Sequence, residues 1–272
     1  MIAAGRRHSV GRRADGTVVA VGNGAAGELR VDDWSGVIGV AAGNVHTARN
    51  TGRSHTVGLR GDGTVLATGW NGDGQCEVAG WRGVTSVAAG WRRTLGVLAD
   101  GRVLAAGRGA EGACEVSGWR GIVQVSCGDW HSVGLRADGT AVAVGSDQRG
   151  QCRVGEWREL VAVAAGYLHT VGVRRDGTVV ATNAGAWDVA GWCDVVAVAA
   201  GSYHTLGLTA AGQVLAAGSN DCGQGEVGDW EGIVAIAAGS LHSLGLRADG
   251  TALATGDNAD GQCDVGDWTL IE

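Results

Sequence analysis

The sequence predicts an all-β protein, a seven-bladed β-propeller, and three observations support this. A motif of the form Gly-x-x-His-[Ser/Thr], followed by an apolar run, Asp-Gly and another apolar run, recurs along all 272 residues. It returns about every 38 residues, and periods of about 20 to 50 residues are typical of propellers and solenoids. Val and Thr alternate with other residues in the runs, which predicts short strands. The first glycines of the seven copies are Gly5, Gly43, Gly90, Gly128, Gly166, Gly201 and Gly239.

Each copy contains four apolar runs, which predict four antiparallel strands per blade. Asp-Gly separates the second run from the third in most copies, as at Asp176-Gly177. Asp-Gly between two strands favours a two-residue type I′ turn. When the two ends of the chain are joined, Trp268 precedes Gly5 by the same nine residues that separate Trp81 from Gly90. We therefore expect one domain over residues 1–272, with a ring closed by an N-terminal strand that completes the last blade.

Composition limits the classes of partner and compartment. The net charge of −7 argues against a nucleic-acid binder, since phosphate neutralisation needs a basic surface. No apolar run has the length of a membrane span, and no signal peptide precedes the first copy. We expect a cytoplasmic monomer without a membrane partner and without a cofactor. The chain has 51 Gly and no Pro, which favours tight turns between strands.

Two copies depart from the period. The second carries nine extra residues that duplicate the start of the motif, so that Gly43 to Thr47 precedes Gly52 to Thr56. The fifth copy is three residues short. Because the motif itself builds the blade, such departures are better guides to function than the repeat.

The segment GRSHTVGLRGDGTVLATGWNGDGQC, from Gly52 to Cys76, resembles the regulator of chromosome condensation family, and the similarity covers all seven copies. The resemblance implies a seven-bladed propeller. It leaves the function open, because that family includes a nucleotide exchange factor for a small GTPase, ubiquitin-ligase modules and a bacterial inhibitor of β-lactamases. The chain lacks the inserted β-wedge of the exchange factor. Its short period is similar to that of bacterial members, including the inhibitor.

The loops that follow the first glycine and the Gly-x-Asn loops are predicted on one face, here called the top. These loops vary most between copies, as expected of a binding surface on a fixed scaffold. Seven of the 11 Trp share one repeat position and are predicted to pack between strands, whereas four fall in top loops. Those four could cap the sheet ends, but aromatic residues beside Arg are typical of binding hot spots. The predicted binding residues are Arg6, Arg7, Trp70, Asp73, Trp91, Arg92, Arg108, Asp129, Trp130, Asp147, Arg149, Tyr167, Trp187 and Tyr203.

Two functional hypotheses follow. The first is a scaffold whose top loops on blades 2 to 5 bind a protein or peptide. The alternative is an enzyme that acts on a small aromatic or anionic molecule in an axial pocket at the top face. Its catalytic candidates are His46, Arg92, Arg93, Glu111 and Asp129.

No metal site is predicted. Six His share a repeat position, and we interpret them as satisfied by hydrogen bonds within their own blades. Cys76, Cys114, Cys152 and Cys263 also share a position and are spread around the ring, so they cannot converge on one zinc ion.

Overall fold

The computed structural model describes residues 1–48, 52–183 and 188–271. In this part of the chain all regular structure is β, arranged as seven three-stranded antiparallel sheets. Each sheet is one blade. The strands are β1 (Ile2–Ala4), β2 (His8–Arg12), β3 (Val18–Gly22), β4 (Val37–Ala42), β5 (His55–Arg60), β6 (Val65–Gly69), β7 (Val84–Gly90), β8 (Arg93–Leu98), β9 (Val103–Gly107), β10 (Ile122–Cys127), β11 (His131–Arg136), β12 (Ala141–Gly145), β13 (Leu160–Ala165), β14 (Thr170–Arg174), β15 (Val179–Ala181), β16 (Val195–Ala200), β17 (His204–Thr209), β18 (Val214–Gly218), β19 (Ile233–Ala238), β20 (His242–Arg247) and β21 (Ala252–Gly256).

Blade 1 consists of β1 to β3, blade 2 of β4 to β6, and so on to blade 7. The first strand of each blade is the inner one, because these seven strands together line an axial channel of about 290 Å³. The inner strands contribute mainly Ala and Val to the channel. The Gly-x-x-His loops follow their C-terminal ends, so these loops meet at the top of the channel. The all-β, seven-bladed prediction is confirmed.

The fourth apolar run forms turns rather than a strand. After β6, Gly74 N donates to Asn71 O, Val78 N to Cys76 O and Trp81 N to Val78 O, each within 3.1 Å. These short-range hydrogen bonds use the backbone groups that a fourth strand would need. Within the described residues each blade therefore has three hydrogen-bonded strands, with one isolated bridge from Thr251 to Thr269 in blade 7, and the prediction of four is wrong in this respect.

The Asp-Gly hairpins also differ from the predicted type. Gly16 has φ +81°, whereas Asp15 keeps a negative φ. Gly16 N donates to Arg13 O, and Arg13 N donates to Thr17 O, which is a type I turn followed by a G1 bulge. Asp15 Oδ1 accepts both the backbone N–H and the hydroxyl of Thr17, at 2.8 and 2.7 Å. These two hydrogen bonds favour this turn over a type I′ turn.

Neighbouring blades are joined by a ring of buried hydrogen bonds. The His of the motif points Nε2 at a Ser or Thr hydroxyl of the next blade, as from His55 to Thr94 at 2.9 Å. The pair of His242 and Ser9, 3.0 Å apart, joins blade 7 to blade 1. These His side chains therefore bond between blades and not within them, contrary to our interpretation. The other pairs are His8 with Thr56, His131 with Thr170, His169 with Thr205 and His204 with Ser243.

Blade 3 carries Arg93 at the His position, and Arg93 belongs to the same ring. Its side chain is only 1% exposed. Nε donates to Ser132 Oγ at 3.0 Å, and the terminal nitrogens donate to the backbone oxygens of Gly128, Asp129 and His131. Because every nitrogen of this guanidinium is committed inside the ring, we assign Arg93 a structural role and remove it from the catalytic candidates.

The hydroxyl partners determine the protonation of the His ring. Thr94 Oγ1 donates to Gln75 O at 2.8 Å, so it must accept from His55 Nε2. A second proton would go to Nδ1, which in His131, His204 and His242 has no hydrogen-bond partner within the described chain. Burial, the largest cause, lowers the pKa of His8 and His204 to about 4, and that of His55, His131, His169 and His242 to about 3.

The first glycine of the motif is required by space. A Cβ at Gly166 would lie 2.3 Å from the ring of His169 and 2.4 Å from the carbonyl oxygen of Gly201. Both groups are fixed by the inter-blade ring. Any side chain here would therefore force neighbouring blades apart.

The ends of the chain meet at the junction of blades 1 and 7. The repeated Trp lies over the glycine of the middle strand, as Trp34 does over Gly58, and Trp268 covers Gly11 of blade 1 in the same way. The C-terminal segment thus packs on the first blade. This confirms the predicted packing role of Trp34 and Trp268.

The N-terminal strand β1 pairs with β2 inside blade 1, with Ile2 opposite Gly11. It does not pair with blade 7, as we had predicted, because the local hairpin with β2 supplies its hydrogen bonds. It still contacts the last blade, since Ile2 packs in one cluster with Leu244 and Trp268.

Replacing Gly166 with Ala should destabilise the protein by about 1–3 kcal/mol, because the added methyl group overpacks the junction of blades 5 and 6. Gly155 is exposed and has open space around its Cβ position, so Gly155→Ala should change stability by less than about 0.5 kcal/mol. Urea denaturation midpoints of the two variants would test this. Equal midpoints would contradict the steric argument.

The buried, neutral His side chains of the inter-blade ring predict that stability falls on acidification at pH values above those at which carboxylates titrate. Unfolded His has a pKa near 6.5, whereas the folded values are about 3 to 4. The unfolded state thus binds more protons between these values, so stability falls as pH drops from about 6.5 towards 4. The urea midpoint should fall steeply between pH 6.5 and 5. A midpoint that stays flat down to pH 5 would contradict the buried neutral ring.

Candidate binding site on the top face

In six blades two residues separate the first glycine from the His position, and in blade 2 the duplicated motif places Asn44 and Val45 between Gly43 and His46; this pair of residues differs from blade to blade. We call them the first and second variable positions. They lie where the inner strands end, so the seven first variable positions surround the top of the channel. In chain order these are Arg6, Asn44, Trp91, Asp129, Tyr167, Ser202 and Ser240.

The inserted segment of blade 2 crosses the top of the channel to the opposite blades. Asn44 lines the channel, and its Oδ1 accepts from Ser240 Oγ of blade 7 at 2.8 Å and from Ser202 Oγ of blade 6 at 3.4 Å. Thr47 Oγ1 lies 3.5 Å from the hydroxyl of Tyr203. We call residues 44–48 the plug segment, because it covers the axis.

His46 anchors the plug segment to blade 4. Its backbone N and its Nδ1 both lie 2.7 Å from Asp129 Oδ2. Asp129 is only 2% exposed, and burial raises its pKa while the two hydrogen bonds from His46 oppose that rise. Since Nδ1 faces a carboxylate, it carries a proton and donates it. The buried carboxylate therefore holds the plug segment through two charge-assisted hydrogen bonds.

His46 also lies at the centre of a continuous set of aromatic rings. Its ring stacks on Tyr167 with centroids 4.6 Å apart and a 19° interplanar angle, and lies 5.8 Å from the ring of Trp130. Trp130 meets Trp91 edge to face at 4.3 Å, and Tyr167 meets Tyr203 at 5.7 Å. These five rings from blades 2 to 6 form one surface, which we call the aromatic track.

Arg92 connects the track to Trp70, which lies in another top loop of blade 2. Its guanidinium carbon lies 4.6 Å from the ring centroids of both Trp70 and Trp91, which is the range of cation–π contacts. Arg92 has φ +60°, a conformation that side chains other than Gly seldom adopt. Its Nη1 lies 3.5 Å from Asp73 Oδ2, which is an ion pair rather than a hydrogen bond. The contacts hold both indoles in fixed positions.

A cavity of about 440 Å³ opens beside the track, between blades 4 and 5. Trp130, Tyr167 and Leu168 form its apolar walls, and Glu111 and Arg149 bring opposite charges to its rim. Glu111 is fixed by Arg108, which donates to its carboxylate from Nε at 2.9 Å and from Nη2 at 2.6 Å. The cavity thus combines aromatic walls with placed charges, as small binding pockets do.

The structure brings together most of the residues predicted from sequence. Trp70, Asp73, Trp91, Arg92, Arg108, Glu111, Asp129, Trp130, Arg149, Tyr167, Tyr203 and His46 belong to the track, the cavity or their direct contacts.

Other predicted residues lie apart from this site. Arg7 faces Asp260 of blade 7, with 3.4 Å between Nε and Oδ2. Asp147 accepts a hydrogen bond from its own loop and lies 3.6 Å from Arg153. The side chain of Arg6 is buried at the top of blade 1 and takes no part in the track or the cavity. Trp187 lies outside the described residues. Trp91 is predicted to be a binding residue, but it is only 8% exposed. It therefore packs against the other rings of the track and offers little surface to a partner.

Three residues of the site, Asn44, Ser202 and Ser240, are not among those predicted from the sequence. All three stand at first variable positions, and that shared position was the available signal. Their small polar side chains suggested nothing by themselves, because their role depends on the plug segment crossing the ring.

The repeated thiols face their own loops. Cys76 Sγ donates to Trp70 O at 3.6 Å and Cys152 Sγ to Ser146 O at 3.4 Å. Burial, the largest cause, raises the pKa of both thiols to about 11. They therefore remain protonated at neutral pH and are poor nucleophiles.

Within the described ranges, no group of three or more His, Cys, Asp or Glu side chains is placed to hold a metal ion. Nor do these ranges contain a helix long and apolar enough to cross a membrane.

A family model for the regulator of chromosome condensation (RCC1) repeat matches residues 50–75, 84–113, 122–151, 195–224 and 233–262, just over half of the chain. The chain belongs to this family. In this RCC1-repeat protein the match in blade 2 begins at residue 50, so the plug segment precedes the matched repeat. The duplication seen in the sequence is thus an addition to the family motif.

Solved structures share the propeller fold at low identity. The RCC1-repeat protein is similar to the ectodomain of the receptor kinase CR4 from Physcomitrella patens, with a TM-score of 0.72 and 18% identity over 94% of this chain and 72% of that one. It is similar to the ectodomain of the receptor kinase ACR4 from Arabidopsis thaliana, with 0.71 and 17% over 94% and 93%. Prp20p from Saccharomyces cerevisiae gives 0.66 and 17% over 98% and 85%. No curated protein is significantly similar in sequence.

If Asp129 anchors the plug segment through His46, the two residues should be energetically coupled. We expect a double-mutant cycle of His46→Ala and Asp129→Ala to give a coupling free energy of about 1–3 kcal/mol. Amide exchange of residues 44–48 should accelerate in each single variant. Asp147→Ala, which removes an exposed loop carboxylate, should leave exchange in the plug segment unchanged. Additive single and double variants would contradict the anchoring role.

Proposed function

We propose that this RCC1-repeat protein is a protein-binding scaffold whose top loops on blades 2 to 5 recognise a protein or peptide partner. The observation that carries the proposal is the aromatic track with its adjoining cavity. Trp130 and Tyr167 are both half-buried, so each is packed in part and offers the rest of its surface to solvent.

The rigidity of the track favours binding. Trp91 and Arg92 pack beneath or beside the half-exposed rings, and His46 lies against Tyr167 and Trp130. A partner would therefore meet aromatic surfaces that are already ordered, and little side-chain entropy would be lost on binding. Preorganised Trp, Tyr and Arg are the residue types that dominate binding hot spots.

The charges around the cavity define the partner's chemistry. Arg149 is exposed at the rim, whereas Glu111 is neutralised by Arg108. The rim thus offers a net positive charge beside apolar aromatic walls. We expect a partner segment with a large apolar or aromatic anchor residue and a neighbouring acidic residue.

Proteins with the same fold give this proposal a precedent. Yeast RCC1 (Prp20) was crystallised bound by Kap60, and Prp20p was described with its binding to Gsp1p and histones. These propellers are at most 19% identical to the chain. They support a protein-binding use of the scaffold and not any of those particular partners.

The geometry favours binding over the enzyme alternative. That alternative requires a pocket on the axis at the top face, where Asn44 and His46 of the plug segment now lie. Below them the channel is lined mainly by Ala and Val. Two of the proposed catalytic residues have structural bonds instead, since Arg93 joins blades and Asp129 anchors His46.

Selection of peptides from a displayed library against the wild-type protein tests the proposal. Selected peptides should share an apolar anchor and an acidic residue, and Trp130→Ala and Tyr167→Ala should each weaken their binding at least about tenfold. Val196→Ala is the control, because Val196 is exposed at the start of β16, away from the top loops. Peptides that bind Trp130→Ala and the wild type equally well, with both proteins folded, would place the binding surface elsewhere.

A further inference from the structure

Arg6 occupies the first variable position of blade 1, at the top of the channel. Its backbone N donates to Gly43 O at 3.0 Å, which fixes the loop against blade 2. The side chain is only 4% exposed. A guanidinium stays protonated in proteins, so this loop carries a positive charge into the interior of the top face.

Polar neighbours at the same repeat position are satisfied by the plug segment. Ser202 and Ser240 donate to Asn44, and Asp129 accepts from His46. Arg6 differs from them. Neither its Nε nor its Nη1 has a hydrogen-bond partner in the described chain, although both atoms are buried.

The carboxylates near Arg6 are bonded to other groups. Asp129 and Asp260 are close enough to raise the pKa of Arg6, although burial, the largest cause, lowers that pKa. Asp129 Oδ2 accepts from His46, while Asp260 accepts from Asn23 Nδ2 at 2.8 Å and pairs with Arg7. The protein thus places a buried cation near two acids and gives it no hydrogen bond to either.

We propose that Arg6 is an anion-binding residue, and that it takes an oxyanion at the top of the channel. Buried charges are normally paired, because an unpaired charge loses its hydration without compensation. Phosphate, sulfate and carboxylate groups all present the oxygen pairs that a guanidinium binds through two N–H groups. The oxyanion comes either as a free ion or as an acidic group of a larger ligand. This site does not depend on the proposed function, because Arg6 belongs to blade 1, outside blades 2 to 5, and anion binding can be measured without a protein partner.

Gly52 lies beside the guanidinium. A Cβ at this position would be in van der Waals contact with Arg6 Nη1, at 3.4 Å, so an Asp side chain there would place a carboxylate next to the guanidinium. Gly52→Asp should therefore supply an internal counter-ion and compete with an external one.

Titration calorimetry with inorganic phosphate, sulfate and acetate at constant ionic strength tests the proposal. The wild type should bind at least one of the three, and Arg6→Met and Gly52→Asp should each weaken that binding at least about tenfold. Arg82→Gln removes an exposed Arg whose guanidinium donates to the backbone oxygens of Ala79 and Trp81, away from Arg6, and it should bind as the wild type does. Preference for phosphate or sulfate over acetate would indicate a tetrahedral oxyanion, and equal binding of acetate a carboxylate. Methyl phosphate then distinguishes the sources, because a site for a free ion should bind it less tightly than inorganic phosphate, whereas a site for an acidic group of a larger ligand should bind both.

Thermal denaturation gives a second readout that does not need tight binding. In chloride alone, Arg6→Met should melt at or above the temperature of the wild type, because it removes an unpaired buried charge. Phosphate and sulfate stabilise proteins in general, so the measured quantity is the extra shift of the wild type over Arg6→Met. If the wild type binds none of the anions, or if Arg6→Met binds and melts as the wild type does in every buffer, the proposal is wrong.

Discussion

The hydrogen bond from each motif His to a hydroxyl of the next blade is the interaction on which the rest of the structure depends. It is buried, it recurs around the ring, and Arg93 preserves it in blade 3. The hydroxyl donates onward to a backbone carbonyl, as Thr94 does to Gln75, so the polar groups between blades satisfy one another. Gly166 and its equivalents leave the space that the His rings need. The most repetitive part of the sequence is therefore the part that holds separate sheets together.

This ring also explains why the top face can vary. Gly and His fix the backbone on both sides of the two variable positions, so side chains there change without disturbing the blade. Blade 3 uses them for Trp91 and Arg92, blade 4 for Asp129 and Trp130, and blade 6 for small polar and aromatic residues. The scaffold supplies rigidity, and the variable positions supply the chemistry.

The plug segment converts these separate loops into one surface. His46 brings an imidazole from blade 2 to a buried carboxylate of blade 4 and a ring of blade 5. His46 packs against both Trp130 and Tyr167 and so adds a ring of blade 2 to the rings of blades 4 and 5. The plug segment thus both covers the top of the channel and joins the aromatic track. This arrangement favours the proposed binding through the top face over a reaction in an axial pocket.

The sequence by itself determined the all-β class, the seven blades and the residues that build them, because each blade repeats the same local pattern. It also identified the two departures from the period and most residues of the track, since aromatic residues outside the packing position stood out. Backbone hydrogen bonds decided three features that the pattern of apolar residues does not encode. These are the form of the Asp-Gly turn, the pairing of β1 and, within the described residues, the three-stranded form of the blades. Only the tertiary structure showed that His242 bonds to Ser9 and that His46 reaches Asp129, 233 and 83 residues apart in sequence. It likewise showed that Nε and Nη1 of Arg6 are buried without a hydrogen-bond partner in the described chain. The physical reason is that such contacts depend on how the ring closes and on the path of one inserted loop, and neither is written in the local spacing of residues.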